Sequence, residues 1–279
     1  MNGKIGFLGA GMMAEALIKG LLREKIVESK DILVSDIIPE RLEFLQEKYG
    51  VGIGGGNRQT AVAAGTVFLS VKPQVIEKVL LEISPVITPG KLVVSIAAGI
   101  TTEYLESYLR KNARVVRLMP NTPCLVEEGI TAFCLGQNAG EAEAEEVKRL
   151  IGPMGKILWT EEKMMDAVTG LSGSGPAFAF LLIEAMADGG VLAGFSRDTA
   201  VLLAAQTCLG AAKMVLEMDE HPGQLRDMVT SPGGTAIAGI QAMEESGVRA
   251  AMMKAIMAAT KRSRELGMKN TPFQGDRPR

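Results

Sequence analysis

Ile5-Gly-Phe-Leu-Gly9-Ala-Gly11-Met-Met-Ala14 sets an apolar run against a Gly-x-Gly pair and then continues into Glu15-Ala-Leu-Ile18, whose apolar spacing is helical. The pattern predicts a strand that ends in a tight bend and feeds a helix. In such a bend the first glycine makes the turn, and the second lets a pyrophosphate approach the helix N-terminus, where free N–H groups and the dipole stabilise negative charge. Ala14 stands where a third glycine often allows close packing of helix on strand. A second strand ending in Ser35-Asp36 follows, and that context turns a weak glycine pattern into a dinucleotide site.

Outward from this turn, short apolar runs alternate with amphipathic stretches from Lys4 to about Thr160, the signature of repeated strand–helix units and a largely parallel sheet. Strands are expected near 4–9, 32–36, 51–53, 66–71, 91–97, 114–119, 129–135 and 155–160. Helices are expected over 12–24, 39–49, 58–64, 74–83, 101–110 and 141–152. Thr66-Val-Phe-Leu-Ser-Val71 and Lys91-Leu-Val-Val-Ser-Ile96 are continuous apolar runs, as strands buried on both faces are. The fold class is α/β: a Rossmann-type dinucleotide-binding domain over 1–160, then an all-helical substrate and dimerisation domain over 161–279.

Asp36 ends the second strand, where a carboxylate accepts from the adenosine ribose and favours NAD. Ser35 tolerates a phosphate, and Asn57 and Arg58 follow Gly54-Gly-Gly56 and could reach the same edge, so NAD and NADP both stay open. Arg58 reads equally well as a solvated residue in the first turn of a helix. Three more loops leave the carboxyl ends of strands, where ligands bind in open α/β sheets: Val71-Lys72-Pro73, Ala97-Ala98-Gly99 and Met119-Pro-Asn121-Thr122-Pro123. Asn121 is a candidate for orienting a carboxamide.

Beyond about residue 161 the chain is rich in Ala, Met and Gly, with helices expected near 162–171, 175–193, 197–217, 223–229, 235–246 and 248–266. Met252, Met253 and Met257 read as core filling. Ala204, Ala205, Gly210, Ala211 and Ala212 let helices approach closely, within one chain or between two, and point to a dimer built from this half. The run Leu171-Ser-Gly-Ser-Gly-Pro-Ala-Phe-Ala179 carries two glycines, each costing roughly 0.8–1.0 kcal/mol against alanine in a helix, so close approach of a ligand or a helix is their expected use.

Composition excludes several classes. The 279 residues carry a net charge of -2 with basic residues scattered among acids, which argues against nucleic acid as a partner. No secretory leader and no uninterrupted run of roughly 18 apolar residues is present, so a cytoplasmic protein without a membrane partner is expected. Cys124, Cys134 and Cys208 form no CxxC pair, and with His221 as the single histidine no metal site is expected. A Ser-His-Asp or Cys-His hydrolase would have to use His221, and no nucleophile elbow supports one.

A sheet domain for a nicotinamide joined to a helical half resembles the 6-phosphogluconate and β-hydroxyacid dehydrogenase group, whose G-x-x-G-x-G-x-x-x-K motif carries an acid–base lysine. Gly170, Gly173 and Gly175 fall in register, but the lysine position is Ala179. Carbonyl reduction needs a proton delivered to a developing alkoxide, whereas an imine nitrogen is basic enough to accept hydride as an iminium without a strong protein acid. That favours a cyclic imine.

Four segments carry a more specific likeness: Asp166 to Phe180, Ala187-Asp-Gly-Gly190, His221-Pro-Gly-Gln-Leu225 and Ser231-Pro-Gly-Gly-Thr235. Together they resemble the Δ1-pyrroline-5-carboxylate reductase family, from the first strand to about Leu266. The resemblance implies reduction of pyrroline-5-carboxylate to L-proline with NADP(H) or NAD(H), and a homodimer through the helical domain, with rings of dimers in some members. It implies dinucleotide contacts at Leu8, Gly9, Ala10, Gly11, Met12 and Met13, at Ser70, Val71, Lys72 and Pro73, and at Ile96, Ala97 and Ala98, with Ser35 or Asp36 and Asn57 near the ribose. The substrate carboxylate falls to Ser231 and the amides around Gly233, Gly234, Thr235 and Ala236, and Glu162 matches a substrate-side carboxylate by position.

Two departures stand out. Many members have a second threonine, which bonds the pyrroline nitrogen, where this chain has Ala236, so that Thr235, the candidate catalytic hydroxyl, or a water takes its place; Ile37 stands where an arginine would favour NADP. A related imine or carbonyl reductase, or an inactive dinucleotide sensor, are the alternatives.

Overall fold

The computed structural model describes residues 3–268. The chain forms two compact units, one of residues 3–173 and 258–268, the other Ser174–Met257. The first contains β1 (Lys4–Leu8), α1 (Met12–Arg23), β2 (Ile32–Ser35), α2 (Pro39–Tyr49), β3 (Gly52–Ile53), α3 (Asn57–Ala63), β4 (Ala64–Leu69), α4 (Ile76–Ile83), β5 (Leu92–Ser95), α5 (Thr102–Tyr108), β6 (Arg114–Met119), β7 (Gly129–Leu135), α6 (Glu141–Ile151), β8 (Gly155–Trp159) and α7 (Met165–Val168). The strands make one sheet in the order β3-β2-β1-β4-β5-β6-β7-β8. Its first six strands are parallel and follow the doubly wound order, so the chain reverses direction across the sheet between β1 and β4 and opens a crevice at their carboxyl ends. β7 runs antiparallel to β6, because the link between them holds only a short 3-10 segment, Thr122–Val126, and no helix long enough for a crossover.

Alternation along β1, β4, β5 and β6 divides the core between the two faces. Phe7, Phe68, Val94 and Val116 face one layer with Leu17 and Leu21 of α1 and Val147 and Leu150 of α6. Leu8, Val67, Val93 and Val115 face the other with Val79 and Leu80 of α4 and Leu105 of α5. Phe7 and Phe68 stack with ring centroids 4.8 Å apart, on adjacent registered strands.

The units divide at Gly173 and Met257, whereas the sequence places the boundary at 160/161. Met165 is fully buried against Ala132 and Cys134, and Ser263 Oγ donates to Asp166 Oδ1 at 2.6 Å, which holds both Glu162–Gly173 and the last turns of the final helix to the sheet unit. The expected helix over 162–171 is also broken up: α7 passes into a π-helical turn at Thr169–Gly173. Thr169 Oγ1 and Ser172 Oγ bond back to Met165 O and Val168 O, and the Ser172 carbonyl accepts from Asn121 Nδ2 at 3.2 Å.

The second unit contains α8 (Gly175–Leu192), α9 (Arg197–Glu217), α10 (Pro222–Met228), α11 (Thr235–Glu245) and the first part of α12 (Val248–Met268). Of the small residues singled out in the sequence, Ala204 joins Ala187 and Ala200 in the α8–α9 contact, where a Cβ on Gly190 would meet that of Ala200 at 3.0 Å, whereas a Cβ on Gly210 would meet nothing within 4 Å and Ala211 and Ala212 are exposed. Its large residues do not fill a core. Leu192, Leu202 and Leu216 are 90, 67 and 75 % exposed, and Met253 and Met257, read as core filling, lie on the surface of the chain. Glu162–Leu192 and Arg197–Glu217 are, by length and composition alone, apolar enough to cross a membrane, although neither is an uninterrupted apolar run.

Candidate active site

The glycine turn shows two different uses of glycine. Gly9 has φ +102, and a Cβ there would lie 2.5 Å from Ser70 O, so the bend and the neighbouring strand end exclude any side chain. Gly11 has extended backbone, and a Cβ on it would meet no protein atom within 4 Å. The protein itself therefore does not require glycine at 11; the open space does. Gly11 begins α1 without a capping side chain, and among the described residues the first-turn amides of Met12, Met13 and Ala14 have no partner, so they can bind an anion at the positive helix end. A dinucleotide pyrophosphate fits this cradle.

Beside it, Asp36 Oδ2 accepts from the Ala10 N–H at 2.6 Å and Oδ1 from Ile38 N–H at 3.0 Å, fixing the carboxylate at the end of β2. Ser35 Oγ donates to Asn57 Oδ1 at 2.8 Å, and Asn57 Nδ2 donates to Glu82 Oε2 at 2.9 Å. These residues wall a cavity of about 330 Å³. Arg58 is exposed and does not line it.

The other predicted loops converge on the same sheet edge. Ser70 N–H and Ile96 N–H donate to Leu8 O and Leu69 O, extending the ladder to the crevice, and Ser70 Oγ is buried there without a partner among the described residues. Gly99, at φ +74, sits 3.2 Å from Gly267 N measured from where its Cβ would be, so the Ile96–Ala98 loop is backed by the end of α12. Asn121 is differently placed from the sequence reading. Its Oδ1 accepts from Ile130 N–H at 2.9 Å and its Nδ2 serves Ser172 O, so the side chain ties the β6–β7 link to the π turn.

In the second unit, Gly234 N–H donates to Ser231 O at 3.0 Å and Gly233 takes φ +67, a turn with Pro232 at its first corner that needs glycine at its second. Gly234 then begins α11 with no side-chain cap. The Gly234 amide is thus used within the turn, whereas the N–H groups of Thr235, Ala236 and Ile237 have no partner among the described residues. Ser231 and Thr235 are exposed on either side of these donors. A carboxylate is the kind of ligand that such a helix start receives.

Comparison with known proteins decides the family. Residues 162–266 match the model described as pyrroline-5-carboxylate reductase dimerisation, and residues 4–99 the one described as NADP oxidoreductase, coenzyme F420-dependent. A pyrroline-5-carboxylate reductase of Methanosarcina acetivorans is 47% identical over 268 residues, 96% of this chain and 99% of the relative. The chain belongs to the pyrroline-5-carboxylate reductase family. Among solved members, that of Coxiella burnetii has TM-score 0.88 and 37% identity, covering 95% of this chain and 99% of its own. That of Plasmodium falciparum, a structure with NADP bound, has TM-score 0.87 and 32% identity, covering 95% and 98%.

One cluster of this reductase-family chain escaped the sequence reading. Glu162 Oε1 accepts from Arg117 Nη1 at 2.5 Å, and Oε2 accepts from Thr102 Oγ1 at 2.7 Å, Thr102 N–H at 3.3 Å and Cys134 Sγ at 3.1 Å. Both carboxylate oxygens are occupied by the protein. Burial pushes the Glu162 carboxyl up, but Arg117 and the donated hydrogen bonds outweigh it and hold the group below its ordinary value; burial and the adjacent carboxylate push the Cys134 thiol up. The available signal was a single charge, Arg117, inside the apolar strand Arg114-Val-Val-Arg-Leu-Met119. Its register opposite Cys134 follows only from the antiparallel pairing of β6 with β7.

His221 has a structural task in this family member. Its Nδ1 accepts from Gly223 N–H at 3.0 Å while Gln224 Oε1 accepts from His221 N–H at 3.0 Å, a reciprocal cap on α10. Ala179 is exposed on α8, and among the described residues no group of histidine, cysteine and carboxylate could hold a metal ion.

Proposed function

We propose that this chain reduces Δ1-pyrroline-5-carboxylate to L-proline with NADH or NADPH, the last step of proline biosynthesis. The observation that carries the reading is the near-complete coverage of pyrroline-5-carboxylate reductases at 47% identity. A reduced nicotinamide supplies hydride to the imine carbon when bound, and the nitrogen gains a proton. The chain's own residues bind and orient. Gly9, Gly11 and the free amides of α1 receive the pyrophosphate, Asp36 and Asn57 meet the ribose edge, and the loops at Ser70–Pro73 and Ile96–Ala98 form the remaining wall.

The amides of Thr235, Ala236 and Ile237, with the hydroxyls of Ser231 and Thr235, hold the substrate carboxylate. The Thr235 hydroxyl is the group assigned to the ring nitrogen, in the role that a second threonine fills in many relatives. Glu162 is assigned to positioning rather than substrate contact: through Thr102 it anchors the start of α5, next to the Ile96–Ala98 loop. With no lysine at 179 and His221 used as a cap, protonation rests on the basicity of the imine itself.

The helical unit serves oligomerisation, and the finer reading is a homodimer that assembles into rings in the cytoplasm. Its support is the apolar surface of α8 and α9, which a second copy of the chain would cover. Turnover of the purified chain with pyrroline-5-carboxylate, a six-membered cyclic imino acid and a panel of keto acids tests the reaction. Reduction of the five-membered imine is expected; activity confined to keto acids overturns the assignment, and dinucleotide binding without any turnover points to a sensor.

A further inference from the structure

The side chains at the wall of the ribose cavity carry more negative than positive charge. Asp36 and Glu82 bring two carboxylates to it, against one ammonium from Lys78. Two backbone N–H groups hold the Asp36 carboxylate in place at the end of β2, the position from which a carboxylate accepts from ribose hydroxyls. Of the side-chain donors near it, three are committed elsewhere, which leaves Lys78, among the described residues, as the one cation at the wall to meet a phosphate monoester. The Ser35 hydroxyl is given to Asn57, one amide hydrogen of Asn57 is given to Glu82, and Arg41 spends its guanidinium on Ala10 O at 2.9 Å and Glu15 Oε2 at 2.8 Å. Ile37, 93 % exposed, adds no charge.

A phosphate monoester carries about two negative charges at neutral pH. Placed in this cavity it meets two carboxylates and a single lysine, whereas a ribose diol is uncharged and offers hydroxyl donors to the fixed carboxylate. We propose that this chain selects NADH over NADPH, with Asp36 as the selecting residue and Glu82, held by Asn57, as a second carboxylate opposing the 2′-phosphate. The inference rests on the reading of the chain as a nicotinamide-dependent reductase and settles which dinucleotide that site takes. The NADP held by the Plasmodium relative does not decide it, because such a preference follows the side chains at the wall and not the fold.

Calorimetric titration of the full chain with NADH and with NADPH tests it. NADH should bind at least about tenfold more tightly, with a gap that narrows as salt is raised, since repulsion between charges at an open wall is screened. Asp36→Ser should reverse the order. Because that change also strips the Ala10 N–H of its acceptor, Glu82→Gln, on the exposed face of α4, is the second variant, and it should shift the affinity ratio several-fold towards NADPH. Equal or tighter binding of NADPH by the unaltered chain overturns the proposal, as does a ratio that neither substitution moves. If neither dinucleotide binds, the parent reading falls with it. If NADH is preferred but no imine is reduced, the preference stands and the parent reading alone falls.

Discussion

The sheet unit and the helical unit solve the burial problem in opposite ways. In the first, the central strands β1, β4, β5 and β6 send alternate side chains into two layers, and residues such as Phe7, Leu8, Leu80 and Val147 are fully buried within one chain. In the second, Ala187, Ala200, Ala204 and Leu225 are the buried hydrophobic residues, and α9 carries Leu202, Leu209 and Leu216 at heptad spacing, 67, 54 and 75 % exposed. Such an open stripe marks an interaction surface, in keeping with the dimerisation model that this region matches. One unit is therefore a self-sufficient binding scaffold. The other, which carries the Ser231–Ala236 turn, keeps its large apolar side chains on a surface open to a partner.

The largest expected effect comes from breaking assembly alone. Leu209→Glu places a charge in the middle of the open stripe, and it should leave a monomer whose imine turnover falls by about a hundredfold or more, as loss of a central interface residue does. Dinucleotide affinity should stay within about twofold, because the sheet unit's cores contain nothing from α9. Light scattering after size exclusion, turnover and calorimetry read the three quantities. Loss of dinucleotide binding in that monomer would break the contrast between the units.

Within the sheet unit, the two glycines of the first turn separate folding from ligand approach. Gly9→Ala forces positive φ and a Cβ against the Ser70 carbonyl, a cost on the order of 3 kcal/mol together with loss of dinucleotide binding. Gly11→Ala meets open space, so stability should change by no more than about 0.5 kcal/mol while affinity falls roughly tenfold. Chemical denaturation and dinucleotide titration of both variants check this. A stability loss at Gly11 equal to that at Gly9 would mean the turn is purely structural.

Next in size is the pair of buried Arg117 with half-buried Glu162. Glu162→Gln keeps the shape but leaves Arg117, itself 2 % exposed, without its counter-charge, at about 2–3 kcal/mol by urea denaturation at neutral pH. The folded Glu162 carboxyl titrates below its unfolded value, so the stability it adds is complete above the unfolded value and is lost as pH falls through the folded one. The variant should accordingly show a shallower acid limb than the unaltered chain. An acid limb of unchanged slope would remove Glu162 from that role.

Much of this was legible in the sequence because it is local. The Gly-x-Gly turn, the continuous apolar runs of β4 and β5 and the Ser-Pro-Gly-Gly start of α11 each carry their own chemistry within a few residues. What the sequence did not disclose depends on who stands opposite whom. Asp36 shows itself as a carboxylate at a strand end, but its bond to Ala10 N–H needs the β1–β2 register. Glu162 looks like a free carboxylate until β6 and β7 pair antiparallel and set Arg117 beside Cys134. Asn121 looks like a ligand donor until a π turn presents Ser172 O to it. The methionines of α12 looked like core because helical apolarity gives no sign of whether the covering surface belongs to the same chain.

The smallest expected effect falls on the turn that the helical unit carries. Ser231→Ala with Thr235→Ala removes two exposed hydroxyls but leaves the free N–H groups of Thr235, Ala236 and Ile237 at the start of α11, so most of the anion site survives. At about 0.5–1.5 kcal/mol per hydrogen bond, KM for the imine should rise roughly tenfold. Part of the loss should appear in kcat, because the Thr235 hydroxyl is also the group assigned to the ring nitrogen. Dinucleotide affinity should not move, since the turn lies outside the unit that holds the Gly9–Gly11 bend. The ratio of the two effects is what matters. A KM change without any change in dinucleotide affinity assigns substrate capture to the helical unit, whereas equal losses of both would place this turn at the dinucleotide and remove the division of labour between the units.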